Sequence, residues 1–107
     1  MATIGTFTLT QNGFTGDITT LTIQAKKVTI VAETERSQEN APTHRVYLNK
    51  AEIGAGWARV SKGERDYISV KIDDPSLPAP VFARLFADED GRTHSLIWTR
   101  ETNRRRG

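Results

Sequence analysis

The sequence contains no cysteine, which excludes disulfide bonds, thiolate metal ligands and cysteine nucleophiles. No apolar run approaches the ~18 residues that a membrane-spanning helix needs. The chain begins Met-Ala-Thr-Ile-Gly, without the basic and apolar segments of a signal peptide. Because 107 residues suffice for one compact domain and are too few for two, we predict a single soluble, cytoplasmic domain with no membrane partner.

Recognisable catalytic and cofactor motifs are also missing. The sequence has no nucleophile elbow, no Walker motif and no dinucleotide fingerprint. His44 and His94 are the only histidines, and we expect exposed imidazoles that hold no metal. The acidic groups at 73–74 and 88–90 fall at strand ends or hairpin tips, where turn geometry alone favours aspartate. The sequence therefore predicts no catalytic residue, no metal site, no cofactor and no enzymatic activity.

Positive and negative residues are nearly balanced, but they are unevenly distributed along the chain. Residues 100–107 hold four arginines and one glutamate, so this tail has a charge of +3. The chain as a whole has a net charge of +2, so residues 1–99 sum to −1. Residues 45–71 have six cations against three anions, whereas residues 73–90 have one cation against five anions. Such a dipolar domain can orient a charged partner more readily than it can attract one from a distance.

Helical periodicity is nearly absent, and alternation of apolar and polar residues dominates. Strand signals run over 4–9, 14–21, 21–25, 27–32, 44–49, 51–60, 66–73, 81–87 and 94–100. Whether 21–25 and 27–32 form one strand or two stays open, and 80–87 also fits a short helix, although we favour a strand. Asn-Gly at 12–13, Lys-Gly at 62–63 and Asp-Gly at 90–91 mark hairpin turns. Gly16 and the slip of alternation near Gly54 and Gly56 indicate β-bulges.

These elements predict an all-β domain over 1–100, a small antiparallel meander that forms a compact barrel or a two-sheet sandwich of seven to eight strands. The polar segment 33–43 is expected to be an exposed loop. Three prolines make 74–80 a stiff crossing segment that is neither strand nor helix. Residues 101–107 have nothing to bury and are expected to be a disordered basic tail.

The hairpin around Lys62 and Gly63 is the strongest candidate for a binding surface. Alternation directs Ile68, Val70 and Ile72 inward, and it directs Tyr67 and Lys71 outward. Arg59 should lie across from this strand, and Arg65 flanks the turn. Aromatic rings beside cations are how proteins hold single-stranded nucleic acid. The alternative is an ordinary hairpin whose charges only keep its solvent face soluble.

The two tryptophans have different expected roles. Trp57 has the same parity as Ile53 and is predicted to be a core residue. Trp98 lies in a strand that is apolar on both sides, so it is either covered or exposed as an interface residue. The full set of candidate residues for nucleic-acid or partner binding is Arg45, Tyr47, Arg59, Lys62, Arg65, Tyr67, Lys71, Trp98, Arg100, Arg104, Arg105 and Arg106.

Three long runs resemble an uncharacterised bacterial family called domain of unknown function 736. They are "IGTFTLTQNGFTGDITTL", "ENAPTHRVYLNKAEIGAGWARVSKGERDYISVKIDDPSLPAP" and "DEDGRTHSLIWTRETNRRRG". Gly56-Trp57, Arg65-Asp66-Tyr67 and Asp73-Asp74-Pro75 belong to the familiar pattern of that family. The resemblance implies a small protein of plasmids and other mobile elements, found near conjugation and anti-restriction genes. It implies no reaction and no catalytic residue.

Three functions stay open on these grounds. The first is a non-enzymatic accessory protein of a mobile element that binds nucleic acid, single-stranded or without sequence preference. The second is a protein-binding inhibitor of a host defence system, of the anti-CRISPR or anti-restriction type, or a regulator of a host or element-encoded protein. The third is a structural homo-oligomer, for which a dimer is one option.

Overall fold

In the computed structural model, residues 2–21, 23–33 and 41–98 are described, and they form eight strands. The strands are β1 (Ala2–Leu9), β2 (Gly13–Thr19), β3 (Gln24–Ala32), β4 (His44–Leu48), β5 (Ala51–Val60), β6 (Asp66–Ile72), β7 (Val81–Ala87) and β8 (Thr93–Trp98). Each strand pairs antiparallel with the next, and β8 pairs with β1, so the sheet closes into a barrel. The predicted all-β meander is confirmed, and of the two predicted forms, barrel and sandwich, the structure shows the barrel.

The interior of the barrel is filled by the apolar half of each alternating pattern. Ile68, Val70 and Ile72 point inward from β6 as predicted, and they are at most 9% exposed. The largest fully buried side chains come from seven of the strands: Phe7, Ile18, Ile30, Leu85, Leu96, Val28, Val46 and Val70. Burial of a side chain of this size contributes about 1.5 to 3 kcal/mol, so these residues are the main source of stability.

Bulges bend the strands at the positions where glycine interrupts the pattern. The register between β2 and β3 shifts between Gly16 and Ile18, which confirms the predicted irregularity at Gly16. The register between β4 and β5 shifts so that Ile53 and Gly54 together face Val46. A bulge of this kind reverses which residues point inward on either side of it.

The segment between β2 and β3 corrects one expectation. Residues 21–25 were expected to be strand material, but β2 ends at Thr19 and β3 begins at Gln24. The Thr20 hydroxyl accepts a hydrogen bond from the N–H of Ile23 at 3.0 Å and so closes a turn that leaves Leu21 fully exposed. The uncertain break near Lys27 lies inside a single strand, where Lys27 has a φ of 61° and its N–H donates to Asp17 Oδ1 at 3.0 Å.

The predicted hairpins around 62–63 and 90–91 are confirmed, and residues Val81–Ala87 form a strand and not a helix. Asp90 closes the turn between β7 and β8, because its Oδ1 accepts the N–H groups of Arg92 and Thr93 at 2.9 and 2.8 Å. Its Oδ2 also accepts the Thr93 hydroxyl at 2.9 Å. These hydrogen bonds, above all that from the Thr93 N–H, lower the pKa of Asp90.

Some expectations fall on residues that are not described. Most of the predicted loop 33–43 lies outside the described ranges, although the Glu33 N–H donates to the Thr43 carbonyl at 2.8 Å. The predicted tail at 101–107 and the arginines at 100 and 104–106 also lie outside them. Across the ranges 2–21, 23–33 and 41–98, no helix has the length and apolarity needed to cross a membrane.

Candidate functional site

The outward side chains of β5, β6 and β7 form a continuous surface of aromatic rings and cations. Residues directly opposite each other in an antiparallel sheet point to the same side. Arg59 on β5 is opposite Tyr67 on β6, which is opposite Phe86 on β7. We call this surface the aromatic–cation face. It comprises Trp57, Arg59, Tyr67, Lys71, Phe82, Arg84 and Phe86, together with Arg65, which directly precedes β6.

Rings and cations alternate on this face and contact one another. The rings of Tyr67 and Phe86 are 5.2 Å apart between centroids and tilted by 31°. The Arg84 guanidinium lies 5.4 Å from the centre of the Tyr67 ring, and the Arg65 guanidinium lies 4.7 Å from that of Phe86. Such cation–π contacts keep rings and positive charges within reach of one ligand.

A third contact of this kind extends the face toward the other end of β7. The Lys71 ammonium lies 5.9 Å from the centre of the Phe82 ring. Phe82 is 59% exposed, which is high for a large apolar side chain in a strand. The face therefore offers solvent both an apolar ring and a neighbouring charge at this point.

The positive charges of the aromatic–cation face are not neutralised by carboxylates among the described residues. The ion pairs found within those ranges involve Arg45, which lies 2.9 Å from Glu33 and 3.5 Å from Glu52. Arg59, Arg65, Lys71 and Arg84 have no such partner there. The Arg65 guanidinium donates a hydrogen bond to the Ala87 carbonyl oxygen, which is uncharged and leaves the positive charge in place.

The structure brings four of the predicted binding residues together and separates others. Arg59, Arg65, Tyr67 and Lys71 lie on the face, as the hairpin model predicted. Lys62 is exposed in the turn between β5 and β6, at the edge of the face. The other predicted residues on described strands are Arg45 and Tyr47 of β4 and Trp98 of β8.

Arg45 and Tyr47 point outward beside β5, but they belong to a different local environment. Arg45 is opposite Ala55, and Tyr47 is opposite Glu52. The hydrogen bond that Arg45 donates to the Glu33 carboxylate raises the pKa of this guanidinium. Arg45 is therefore held by two carboxylates, unlike the cations of the aromatic–cation face.

The expectation that Trp57 is a core residue is wrong. Trp57 is half-buried on the outer surface, where it is opposite Ser69, and the neighbouring Gly56 points inward. The cause is the bulge at Ile53 and Gly54, because the extra residue gives Ile53 and Trp57 opposite directions despite their equal parity. For Trp98 the sequence left two alternatives, and the structure shows the covered one, since Trp98 points inward and packs against the core.

The contribution of β7 to the face is not among the residues predicted from the sequence. Phe82, Arg84 and Phe86 are outward, and they alternate with inward residues that include Ala83 and Leu85. That alternation was visible in the sequence. What could not be seen was that β7 lies directly beside the outward residues of β6.

One end of the barrel contains a cavity of about 470 Å³. It opens where β4, β6 and β8 begin, and its lining includes His44, His94 and Asp66. Both histidines are half-buried and contact Phe14, with ring centroids 6.2 and 4.6 Å away. Burial lowers the pKa of His44. In the described part of the chain, no three His, Cys, Asp or Glu side chains are grouped as metal ligands would be.

The fold and surface define a small closed antiparallel barrel with an aromatic and cationic outer face. Residues 3–101 match the model of a family described as protein of unknown function (DUF736), and the chain belongs to that family. No curated protein matches the chain, and no solved structure does.

Proposed function

We propose that this protein binds single-stranded nucleic acid, without strong sequence preference, through the aromatic–cation face. The observation on which this rests is the alternation of exposed or half-exposed rings with cations that no described carboxylate neutralises. Phosphates pair with the guanidinium and ammonium groups, and bases stack on the rings or on the guanidinium planes.

The shape of the face favours single strands over duplex. Stacking on Tyr67 or Phe86 requires a base whose own faces are not covered by neighbouring base pairs. An outward sheet surface without a recognition element for the major groove has few means to read base edges in a duplex. The expected binding is therefore electrostatic, stacking-dependent and tolerant of sequence.

We further infer a cytoplasmic, non-enzymatic accessory role on a mobile genetic element. This part of the proposal is supported by the family resemblance and by the lack of catalytic sequence motifs. Such a protein would coat or protect single strands that arise when mobile DNA is transferred or repaired.

The test is fluorescence anisotropy of the full chain with labelled single-stranded and duplex oligonucleotides over a range of salt concentrations. We expect tighter binding to the single strand. We also expect log K to fall linearly with log salt, with a slope of about −0.7 for each phosphate contacted. Absence of any binding at low salt would refute the proposal.

A second function is favoured by the exposure of Phe82. An aromatic ring that is 59% exposed beside the stiff proline-rich segment 74–80 suits a protein partner, because aromatic side chains are enriched in interface hot spots. A host defence protein or a regulator would be such a partner. Affinity capture from lysate with and without nuclease separates the two functions, since a stoichiometric protein retained after nuclease treatment favours this one.

A further inference from the structure

The two ends of the barrel are built differently. The end at which β2, β4 and β6 finish is filled by large apolar side chains that pack against the core: Ile23, Leu48, Leu77, Val81 and Trp98. At the opposite end, the inward positions of β5 and β7 hold the small residues Ala58 and Ala87. The cavity of about 470 Å³ exists because no large side chain occupies these positions.

The lining of this cavity suits a planar ring with polar edges. Ile68, Leu85 and Ala58 supply apolar wall, and His44 and His94 supply ring surface and nitrogen atoms. Asp66 adds a carboxylate that can only accept hydrogen bonds when ionised. The volume lies within the ~300 to 1,000 Å³ of small-molecule sites, which combine apolar walls with a few polar groups.

The cavity is continuous with the aromatic–cation face. Arg59 and Tyr67 belong to the face and also line the cavity. Val60, which is 64% exposed, lies at the rim beside them. A strand that lies across the face therefore passes the opening, and one of its bases can turn inward.

We propose that the open end of the barrel binds one nucleobase turned out of a single strand that lies on the aromatic–cation face. This inference rests on the proposed function and adds a base-recognition site to it. The Asp66 carboxylate accepts from an exocyclic amino group, so the cavity favours cytosine or adenine over thymine, which presents a carbonyl oxygen at that edge.

The test compares oligodeoxycytidine and oligothymidine of about ten nucleotides each, a length within known single-strand site sizes. We expect the cytidine oligonucleotide to bind about tenfold more tightly, as one hydrogen bond to a charged group allows. Because His44 and His94 are the only histidines, their ring resonances in NMR spectra report on the cavity of the unmodified protein. Both should shift when the cytidine oligonucleotide is added.

A pair of variants on one strand provides a matched control. Ala58 and Ala51 are both exposed alanines of β5, and only Ala58 lines the cavity. Ala58→Leu places a larger side chain there, and Ala51→Leu makes the same change at the other end of the strand. Ala58→Leu should remove the preference for cytidine and leave thymidine binding unchanged. Ala51→Leu should keep the preference.

The outcomes separate this inference from the proposed function. Equal binding of the two oligonucleotides, or histidine resonances that stay in place, would overturn the base site while nucleic-acid binding by the face stands. Failure of both oligonucleotides to bind at low salt would overturn the proposed function, and the base site with it. If Ala58→Leu does not fold, the preference for the cytidine oligonucleotide and the NMR shifts of the unmodified protein still test the base site.

Discussion

Strands β1, β2 and β3 present threonines to solvent, whereas β5, β6 and β7 present rings and cations. We call the first surface the threonine face, and it comprises Thr6, Thr8, Thr15 and Thr29. Thr15 is opposite Thr8 on one side and Thr29 on the other, so these residues form rows across the sheet. Threonine combines high β-propensity with a short polar side chain, which is all that an outer strand surface requires.

The contrast supports the proposed binding role of the aromatic–cation face. Both faces cover the same core, and both lie on antiparallel strands of one barrel. If threonine suffices on one side, an exposed ring such as Phe82, with Lys71 beside it, needs another reason on the other. The binding of an anionic ligand with planar groups, as proposed above, would supply that reason.

The largest expected effect is on the scaffold that the two faces share. A Cβ added at Gly16 of β2 would overlap the carbonyl oxygen of Thr6, and one at Gly54 of β5 would overlap that of Lys71. Gly16→Ala and Gly54→Ala should each lower the free energy of unfolding by about 3 kcal/mol. Gly63→Ala, where an added Cβ meets nothing within 4 Å, is the control for denaturant unfolding. Normal stability of either bulge variant would show that the bulges tolerate a side chain.

The next largest effect should distinguish the faces by charge. Arg59→Glu combined with Arg84→Glu should weaken single-strand binding about a hundredfold at low salt, because two phosphate contacts become repulsive. Lys26→Glu combined with Lys50→Glu changes the net charge equally but alters exposed lysines away from the aromatic–cation face. Anisotropy titrations of both double variants measure the difference. Equal losses would mean that net charge alone drives binding.

A smaller effect should define the boundary of the aromatic–cation face. Tyr67→Ala removes a stacking ring and should cost about 1 to 3 kcal/mol of single-strand binding, with less effect on duplex. Tyr47→Ala makes the same change on β4, next to the carboxylate of Glu52, and should leave affinity nearly unchanged. Titrations with single-stranded and duplex oligonucleotides test both variants. A comparable loss for Tyr47→Ala would extend the binding surface onto β4.

The smallest effect concerns the turn that joins β7 of the aromatic–cation face to β8, which pairs with β1. The pKa of Asp90 is lowered in the folded state, so its contribution to stability is present above its ordinary pKa of 3.8 and is lost as the pH falls through the lower folded value. Asp90→Asn should therefore reduce the loss of stability on acidification below 3.8. Denaturant midpoints above and below that pH measure it. An unchanged pH dependence would show that the turn does not depend on the charge of Asp90.

The outward and inward sides of β6 could be predicted from the sequence, because its alternation is regular from Asp66 to Ile72. The position of Arg59 across from Tyr67 followed from the short turn at 62–63. Trp57 was misplaced because the bulge at Ile53 and Gly54 lies between it and the residues that set its expected direction. The side of a residue after a bulge depends on where the extra residue is accommodated, and alternation alone does not locate it.

The sequence by itself determined most of the strands, their hairpin turns and, where no bulge intervenes, the two sides of each strand, because these depend on residues close together in the chain. Only the tertiary structure decided that β8 pairs with β1 to close a barrel, that Phe82, Arg84 and Phe86 join Tyr67 on one face, and that Ala58 lines an open end. The closure of the barrel, the rows of neighbouring side chains on its outside and the packing at each of its ends arise from contacts between residues distant in sequence. Local pattern places each residue on its strand, and the packing of strands around one core determines which residues meet.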